Sequence, residues 1–376
     1  MKILHTADWH VGRSIRGRSR DDEHRQVLSE IALLASTEEV DLVVVAGDIF
    51  DAASPGPGSE EIVYRALLDL ASVAPVVIVA GNHDHPQRLK AVAPLLQLGR
   101  IVVGTSVRSP DDGGVVSLDQ LGVKIALVPF IGKRGIIGVE QLLSLPAAEL
   151  QTTFADRVRR IIGTLCQEMG TDTVNLLLGH LMVAGGTAGG GERSAHLFEY
   201  SIPTASFPSH LSYVALGHLH RSQRMPYAAP VWYSGSPLQL DFGEEDERKS
   251  VLVVTTEPGL PAAVEEHPLQ SGRRLRTIRG SLEQLREVTD EVGDDFLRVE
   301  LEEAGRVGLA DDVRELFPNA VEIRLLIGGS DPARPVRVGR EPAELFREYL
   351  QSTGVEDRRL ESLFDELLAE AGEVGA

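Results

Sequence analysis

The chain has 376 residues, 43% hydrophobic and 25% charged, a composition that builds ordinary globular cores and excludes a disordered or fibrous polymer. Cys166 is its only cysteine, which excludes an intrachain disulfide framework and a thiolate zinc site. The net charge of −19 tells against a broad non-specific polyanion-binding surface, but it is unevenly spread: residues 281–376 carry 24 Asp/Glu against 11 Lys/Arg, and residues 1–280 carry 32 against 26.

Two or three modules are expected at this length. Met1–Thr6 lacks the basic and apolar stretches of a secretory leader, and no apolar run approaches the roughly 20 residues that cross a bilayer. A cytoplasmic address without membrane contact is the expectation. Apolar, β-branched runs at Ile3–Thr6, Leu42–Ala46, Val76–Ala80, Val123–Pro129, Val174–Leu178, Tyr213–Leu216, Val231–Tyr233 and Val251–Thr255 predict strands. Helix-like stretches such as Glu23–Leu34 and Ser59–Leu70 lie between them, so an α/β fold with strands buried on both faces is predicted.

Residues 256–280 shift in composition, with Pro258, Pro261, Pro268 and Gly272 followed by Arg273, Arg274, Arg276 and Arg279, and read as a boundary. Beyond it, helix Leu282–Val288, strand Phe296–Leu301, helix Ala310–Phe317 and strand Val321–Leu326 predict a small separate α+β domain. A Gly/Pro linker at 328–335 precedes two predicted amphipathic helices, Pro342–Leu350 and Asp357–Leu368. The boundaries drawn are 1–268, 269–332 and 333–376.

Five places share one pattern, in which a strand-like run ends and a ligand-type residue follows at once. They are Asp8-Trp9-His10, Gly47-Asp48-Ile49-Phe50-Asp51, Gly81-Asn82-His83-Asp84, Gly179-His180 and Gly217-His218-Leu219-His220. Sites in open α/β sheets form at the carboxyl ends of strands, so five strand ends can deliver side chains to one pocket. Imidazole nitrogens mixed with carboxylate and amide oxygens suit Mn, Fe or Zn. A carboxylate has two oxygens and can bridge two ions about 3.5–4 Å apart, the spacing used to activate a water and neutralise a phosphoryl oxygen. Any one block alone is more often structural; all five in order point to a two-metal phosphoesterase.

These blocks resemble the calcineurin-like metallophosphoesterase superfamily, and within it the nuclease subunits of bacterial DNA-repair complexes. The resemblance includes Thr6-Ala7-Asp8-Trp9-His10-Val11-Gly12-Arg13, Gly17-Arg18-Ser19-Arg20, Gly217-His218-Leu219-His220-Arg221 and Tyr233-Ser234-Gly235-Ser236-Pro237-Leu238, and loosens from about residue 270. It implies a four-layer α-β-β-α sandwich with a small α+β capping domain that binds DNA and C-terminal helices. It assigns Asp8, His10 and His220 to a first metal, Asn82, His180 and His218 to a second, and Asp48 as the bridge, with Mn(II) the expected ion at both. His83 would be the catalytic group and Asp84 the residue that holds its ring in the right tautomer. Asp51 stands where some relatives carry a histidine tied to exonuclease activity, and is assigned a supporting place behind the ligands. The resemblance also implies double-strand 3′-to-5′ exonuclease and single-strand endonuclease activity. Its partners would be DNA, an SMC-like coiled-coil ATPase docked on the C-terminal helices, and a second copy of the chain in a homodimer within a heterotetramer.

Arg13, Arg16, Arg18 and Arg20 crowd behind the first block and read as a phosphate clamp at the mouth of the site, because guanidinium pairs well with phosphate oxygens. His85 is a further candidate DNA contact. His5, His24, His196, His210 and His267 are assigned to packing or surface. The glycine-rich loop 185–191 lacks the Gly-Lys-Ser/Thr of a nucleotide-binding P-loop, so ATP use is left to a partner. Two other readings compete: a phosphatase or small-molecule phosphodiesterase of the same superfamily, and a non-cutting scaffold. Asp51 is followed by Ala52-Ala53 instead of the Arg-Gly of protein phosphatases, and the intact ligand set opposes the scaffold.

Overall fold

The computed structural model describes residues 1–132, 147–190 and 201–326, together with Phe346, Leu350, Arg359, Leu360 and Phe364. In chain order its elements are β1 (Lys2–Thr6), the hairpin β2 (Ser14–Ile15) and β3 (Arg18–Ser19), α1 (Asp21–Thr37), β4 (Leu42–Val45), α2 (Pro57–Val73), β5 (Val76–Val79), α3 (Pro86–Leu98), β6 (Ile101–Gly104), β7 (Val115–Leu118) and β8 (Val123–Val128). There follow α4 (Ala147–Cys166), β9 (Val174–His180), β10 (Tyr213–Gly217), β11 (Gln223–Met225), β12 (Val231–Tyr233), β13 (Ser250–Thr255), β14 (Ala263–Pro268), β15 (Leu275–Gly280), α5 (Leu282–Arg286), β16 (Phe296–Leu301), α6 (Leu309–Leu316) and β17 (Ala320–Leu325).

Two six-stranded sheets result, ordered β14-β13-β1-β4-β5-β6 and β11-β12-β10-β9-β8-β7. β1, β4, β5 and β6 run parallel, as do β8, β9, β10 and β12. Parallel neighbours need crossovers, and α1, α2, α3 and α4 supply several of them.

The alternation within each strand explains the layering. Leu4, Val43, Val45, Val76 and Ile78 face α1 and α2, whereas Ile3, Leu42, Val44, Val77 and Val79 face the other sheet. Val123, Ile125, Leu176 and Leu178 complete that inter-sheet core, and Ala126, Val128, Leu177 and Val214 pack outward with Phe154, Val158 and Ile162 of α4. This is the predicted four-layer α-β-β-α sandwich. Strands with two apolar faces read as unbroken apolar runs, which is why these core strands are visible in sequence.

His5 sits within the inter-sheet layer. Its Nδ1 accepts from Tyr213 Oη at 2.8 Å and its Nε2–H donates to the Leu216 carbonyl at 3.1 Å, so one neutral imidazole ties the two sheets together. Burial pushes it down to about 3.

β15, β16 and β17 form a separate three-stranded sheet whose core with α5 and α6 contains Leu285, Leu297, Val299, Leu309, Val313 and Phe317. It belongs to one compact unit, Met1–Leu301 with Val307–Arg324; Glu302–Arg306 and Leu325–Ala376 form a second unit. In the second unit the rings of Phe346 and Phe364 stack at 4.1 Å. The predicted linker at 328–335, the remainder of both tail helices and His196 lie outside the described residues.

The stretch 256–280 holds β14, the edge of the first six-stranded sheet, and β15, the first strand of the small sheet, with Pro258 and Pro261 in the turn before β14. No helix among the described residues is long and apolar enough to cross a membrane.

Candidate metal centre

The carboxyl ends of both sheets converge. β1 delivers Asp8 and His10, β4 delivers Asp48 and Asp51, β5 delivers Asn82, His83 and Asp84, β9 ends on His180, and β10 delivers His218 and His220. Asp8, His10 and His220 each offer a ligand atom within 4.8 Å of the others, as do Asp8, Asp48 and His180, and His10, Asp48 and His83. Asp48 Oδ2 lies 3.6 Å from His10 Nε2 and 3.4 Å from His180 Nε2, between the two groups. Asn82 Oδ1 is 3.0 Å from both His180 Nε2 and His218 Nδ1. The sequence-predicted ligands therefore come together around Asp48 in overlapping groups, one of which also contains His83.

Backbone strain concentrates here. Asp8 (φ 52°), His10 (φ 48°), Asp48 (φ 49°) and His218 (φ 103°) adopt positive φ, a region that costs L side chains energy unless the surroundings impose it. Those surroundings are visible: Asp8 N–H donates to Gly47 O, His10 N–H to Asp48 O, and His218 N–H to both oxygens of Asp8. A Cβ on Gly81 would strike the Asp48 side chain, and one on Gly47 would strike the His180 ring. Glycine before a ligand is thus required for room as well as for turning.

Hydrogen bonds fix which nitrogen each imidazole presents. His180 Nδ1–H donates to Ala46 O at 2.8 Å, His10 Nδ1–H to Asp51 Oδ1 at 3.2 Å, and His220 Nδ1–H to Glu244 Oε1 at 3.0 Å. A neutral imidazole has one N–H, so in all three the Nε2 lone pair faces the cluster. His10 Nε2 is buried with no hydrogen-bond partner, and His180 Nε2 meets the Asn82 carbonyl oxygen, a contact made by Nε2–H in the metal-free protonated ring and acceptor against acceptor once that proton is lost. Converging acceptors without a donor are what a cation requires, so the residues present fit divalent metal ions.

Electrostatics agree. Burial raises Asp8 to about 7 despite the nearby His180 and His220 charges. Burial works against a charged His180, but Asp48 and Asp8 outweigh it and push the ring up to about 9. Burial likewise opposes the Asp48 carboxylate, yet His180 and His10 hold it well below its ordinary value. Protons take the place of cationic charge between these carboxylates.

A family model described as calcineurin-like phosphoesterase matches residues 1–222. The chain is 34% identical to the D subunit of the nuclease SbcCD from Bacillus subtilis over 337 residues, covering 86% of this chain and 85% of that one. It is 35% identical to the protein of the same name from Rhodobacter capsulatus (65% of this chain, 64% of the other) and 30% identical to that of Escherichia coli K12 (77% and 76%). The chain belongs to the calcineurin-like phosphoesterases, in the branch of the SbcCD nucleases. It is accordingly a metal-dependent hydrolase.

Several expectations for this phosphoesterase are corrected by its geometry. Asp84 does not touch the His83 ring. Its carboxylate accepts from the backbone N–H groups of Ile49, Phe50 and Gly81, so it clamps the β4 and β5 loops together. The ring of His83 is set by Asp51, whose carbonyl oxygen accepts from Nδ1–H at 2.8 Å, while the His83 backbone N–H donates to Asp48 Oδ1. Asp51 also accepts from His10 and from Arg13 at 3.2 Å; these outweigh burial and hold its carboxyl below the usual range. It thus contacts both His10 and His83.

Arg20 is not a clamp residue, being 1% exposed. Its guanidinium grips Glu23 and the carbonyls of Gln239 and Arg273. Arg16 pairs with Glu322 at 3.0 Å. Arg18 remains exposed and lines a hollow of about 280 Å³ with Arg273, Phe296 and Asn319. His85 is exposed at the N-terminal cap of α3.

Two functional neighbours escape the sequence pattern. Phe130, just past β8, stacks over His218 with centroids 6.3 Å apart and meets His180 edge-on at 6.2 Å. It follows the same strand-end grammar as the ligands but is apolar, so nothing marks it. Glu244 lies in a loop with no strand run ahead of it.

Proposed function

We propose that this chain is the DNA-cutting member of an SbcCD-type complex, acting in break and hairpin processing. Asp8, His10, His220 and Asp48 hold one divalent ion in this reading, and Asp48, Asn82, His180 and His218 hold the other, with Mn(II) at both. The observation that carries it is the convergence of acceptors from five strand ends on one carboxylate, in a chain similar along most of its length to proteins named nucleases. Two ions bound there would acidify a water and neutralise the phosphoryl oxygens during in-line displacement.

The remaining steps belong to the chain's own groups. His83, half-buried and tethered through Nδ1 to Asp51 O, presents Nε2 to the phosphate and steadies the transition state or protonates the departing sugar oxygen. Arg13, Arg16 and Arg18, with His85, supply phosphate contacts beside it. Phe130 limits how far the His218 and His180 rings can turn. His83→Ala should retain both metals and lose about 10²–10⁴-fold in cleavage rate; loss of metal together with activity would show that His83 is a ligand.

The proposed division is a nuclease domain over 1–268, a DNA-binding capping domain over 269–332 and a docking tail over 333–376. The tail would lay an apolar helical face on the coiled coil of an SbcC-type ATPase. Capture of that ATPase by the full chain and not by one truncated after Val338 tests this; equal capture refutes it. A homodimer within a heterotetramer belongs to the same reading. A cytoplasmic, nucleoid-associated address goes with this reading.

A further inference from the structure

Outside the candidate ligands, a buried charge network surrounds Glu244. Its side chain is fully buried. Oε1 accepts from His220 Nδ1 at 3.0 Å; Oε2 accepts from the Leu240 backbone N–H at 3.0 Å and from Lys249 Nζ at 2.7 Å. Lys249 in turn donates to the His220 carbonyl at 3.0 Å and to Glu247 at 2.8 Å. Three donors on Lys249 thus meet three acceptors, two of which belong to His220 or its partner.

We infer that Glu244 is a positioning residue for His220: with Lys249 it fixes the ring orientation and the Nδ1–H tautomer that turns Nε2 toward Asp8 and His10. The chemistry leaves little alternative. An ionised carboxylate only accepts, so the nitrogen facing it must carry the proton, and the lone pair of a neutral ring is then on Nε2. Lys249 supplies the counter-charge that keeps a carboxylate ionised in the interior. Its bond to the His220 carbonyl holds the ligand's backbone as well as its ring. The same device in two weaker forms serves His10 through Asp51 and His180 through a carbonyl; of these three rings, His220 is the one that receives a buried, lysine-neutralised carboxylate. A carboxylate behind an imidazole raises the basicity of the far nitrogen, so Glu244 strengthens one ion's binding and leaves the other set untouched.

The inference rests on the two-metal reading, and the test separates the two. Metal-free full-length chain is titrated with Mn(II) by calorimetry, and with Co(II) by visible absorption, for wild type, Glu244→Gln and Glu244→Ala, with thermal melting of each metal-free chain. Two binding events in wild type are expected. In Glu244→Gln, one event should keep its affinity within about twofold while the other weakens about 10-fold, and in Glu244→Ala about 100-fold. The Gln variant retains an acceptor for Nδ1–H, so its smaller loss marks rescue of orientation without charge. If both events persist unchanged in Glu244→Gln, or both weaken equally, or that variant fails to fold, Glu244 is merely structural and the inference fails while the two-metal reading stands. A wild type with a single event or none would overturn the two-metal reading itself.

Discussion

A neutral imidazole can offer a metal only one of its two nitrogens, and in this site the choice is made by groups far away in sequence. The candidate ligands themselves are legible, because each follows an apolar strand. Their partners are not: Ala46 acts through a backbone carbonyl and Glu244 from a loop 24 residues beyond His220, with no pattern to mark it. Asp84 misleads for a related reason, since adjacency to His83 suggests contact and the carboxylate turns to three backbone donors instead. Asp84→Ala orphans these donors at about 1–3 kcal/mol each. It should therefore lower the melting temperature far more than His83→Ala; equal melting of the two variants would contradict this role. The raised Asp8 and His180 must lose protons before they accept a cation. Mn(II) affinity should accordingly rise from about pH 6 to about pH 9, with proton release on binding. A pH-independent calorimetric affinity over that window would show that the carboxylates are already bare.

At the scale of elements, the buried strands and the two long helices α1 and α2 are readable from apolar runs and helical stretches. The edge strands are not. β14 reads Ala-Val-Glu-Glu-His-Pro and is mostly exposed, and β11 has three residues, so neither carries a hydrophobic signature. The β2–β3 hairpin reads in sequence as an arginine-rich clamp, but its arginines divide by burial. Arg20→Ala leaves Glu23 uncompensated and should cost about 3–5 kcal/mol of stability in denaturant melts. Arg18→Ala should leave stability within about 0.5 kcal/mol while reducing the salt slope of DNA binding by about one. Reversal of these two phenotypes would overturn the division. His5 and His24 give a second element-scale test, since both are held neutral in the fold, down to about 3 and about 4. The unfolded chain protonates them near pH 6.5, so folding is unpenalised above that value and loses stability as pH falls below it. Each contributes up to about 1.4 kcal/mol per pH unit. His5→Gln should flatten the fall measured between about pH 6 and about pH 4 by close to one proton; an unchanged slope would show that the sheet-bridging imidazole is not responsible.

For the whole molecule, the acidic balance and the DNA-cutting role are reconciled by where charge is placed. Carboxylates at the centre are built to meet cations, and exposed Arg18, Arg273 and Arg274 lie on the hairpin and near the small sheet. The loop 236–249 joins these parts: it carries Glu244 against His220, while Gln239 accepts from Leu275 N–H, Glu245 from Thr277 N–H, and Phe242 lies under Arg298 at 4.2 Å. The buried strands and the small α+β sheet are readable because apolar periodicity reports local burial, whereas the four-layer stacking is what the family resemblance implies. The loop that connects them is not, since its meaning lies in contacts across the fold. The central claim, a two-metal nuclease for DNA, is tested most directly by incubating the purified chain with Mn(II), labelled duplex and single-stranded DNA, and a small aryl phosphodiester. The account predicts that all three are cut, that chelation abolishes every activity, and that His83→Ala cuts none at a comparable rate. Hydrolysis of the small diester with both DNAs left intact would contradict it.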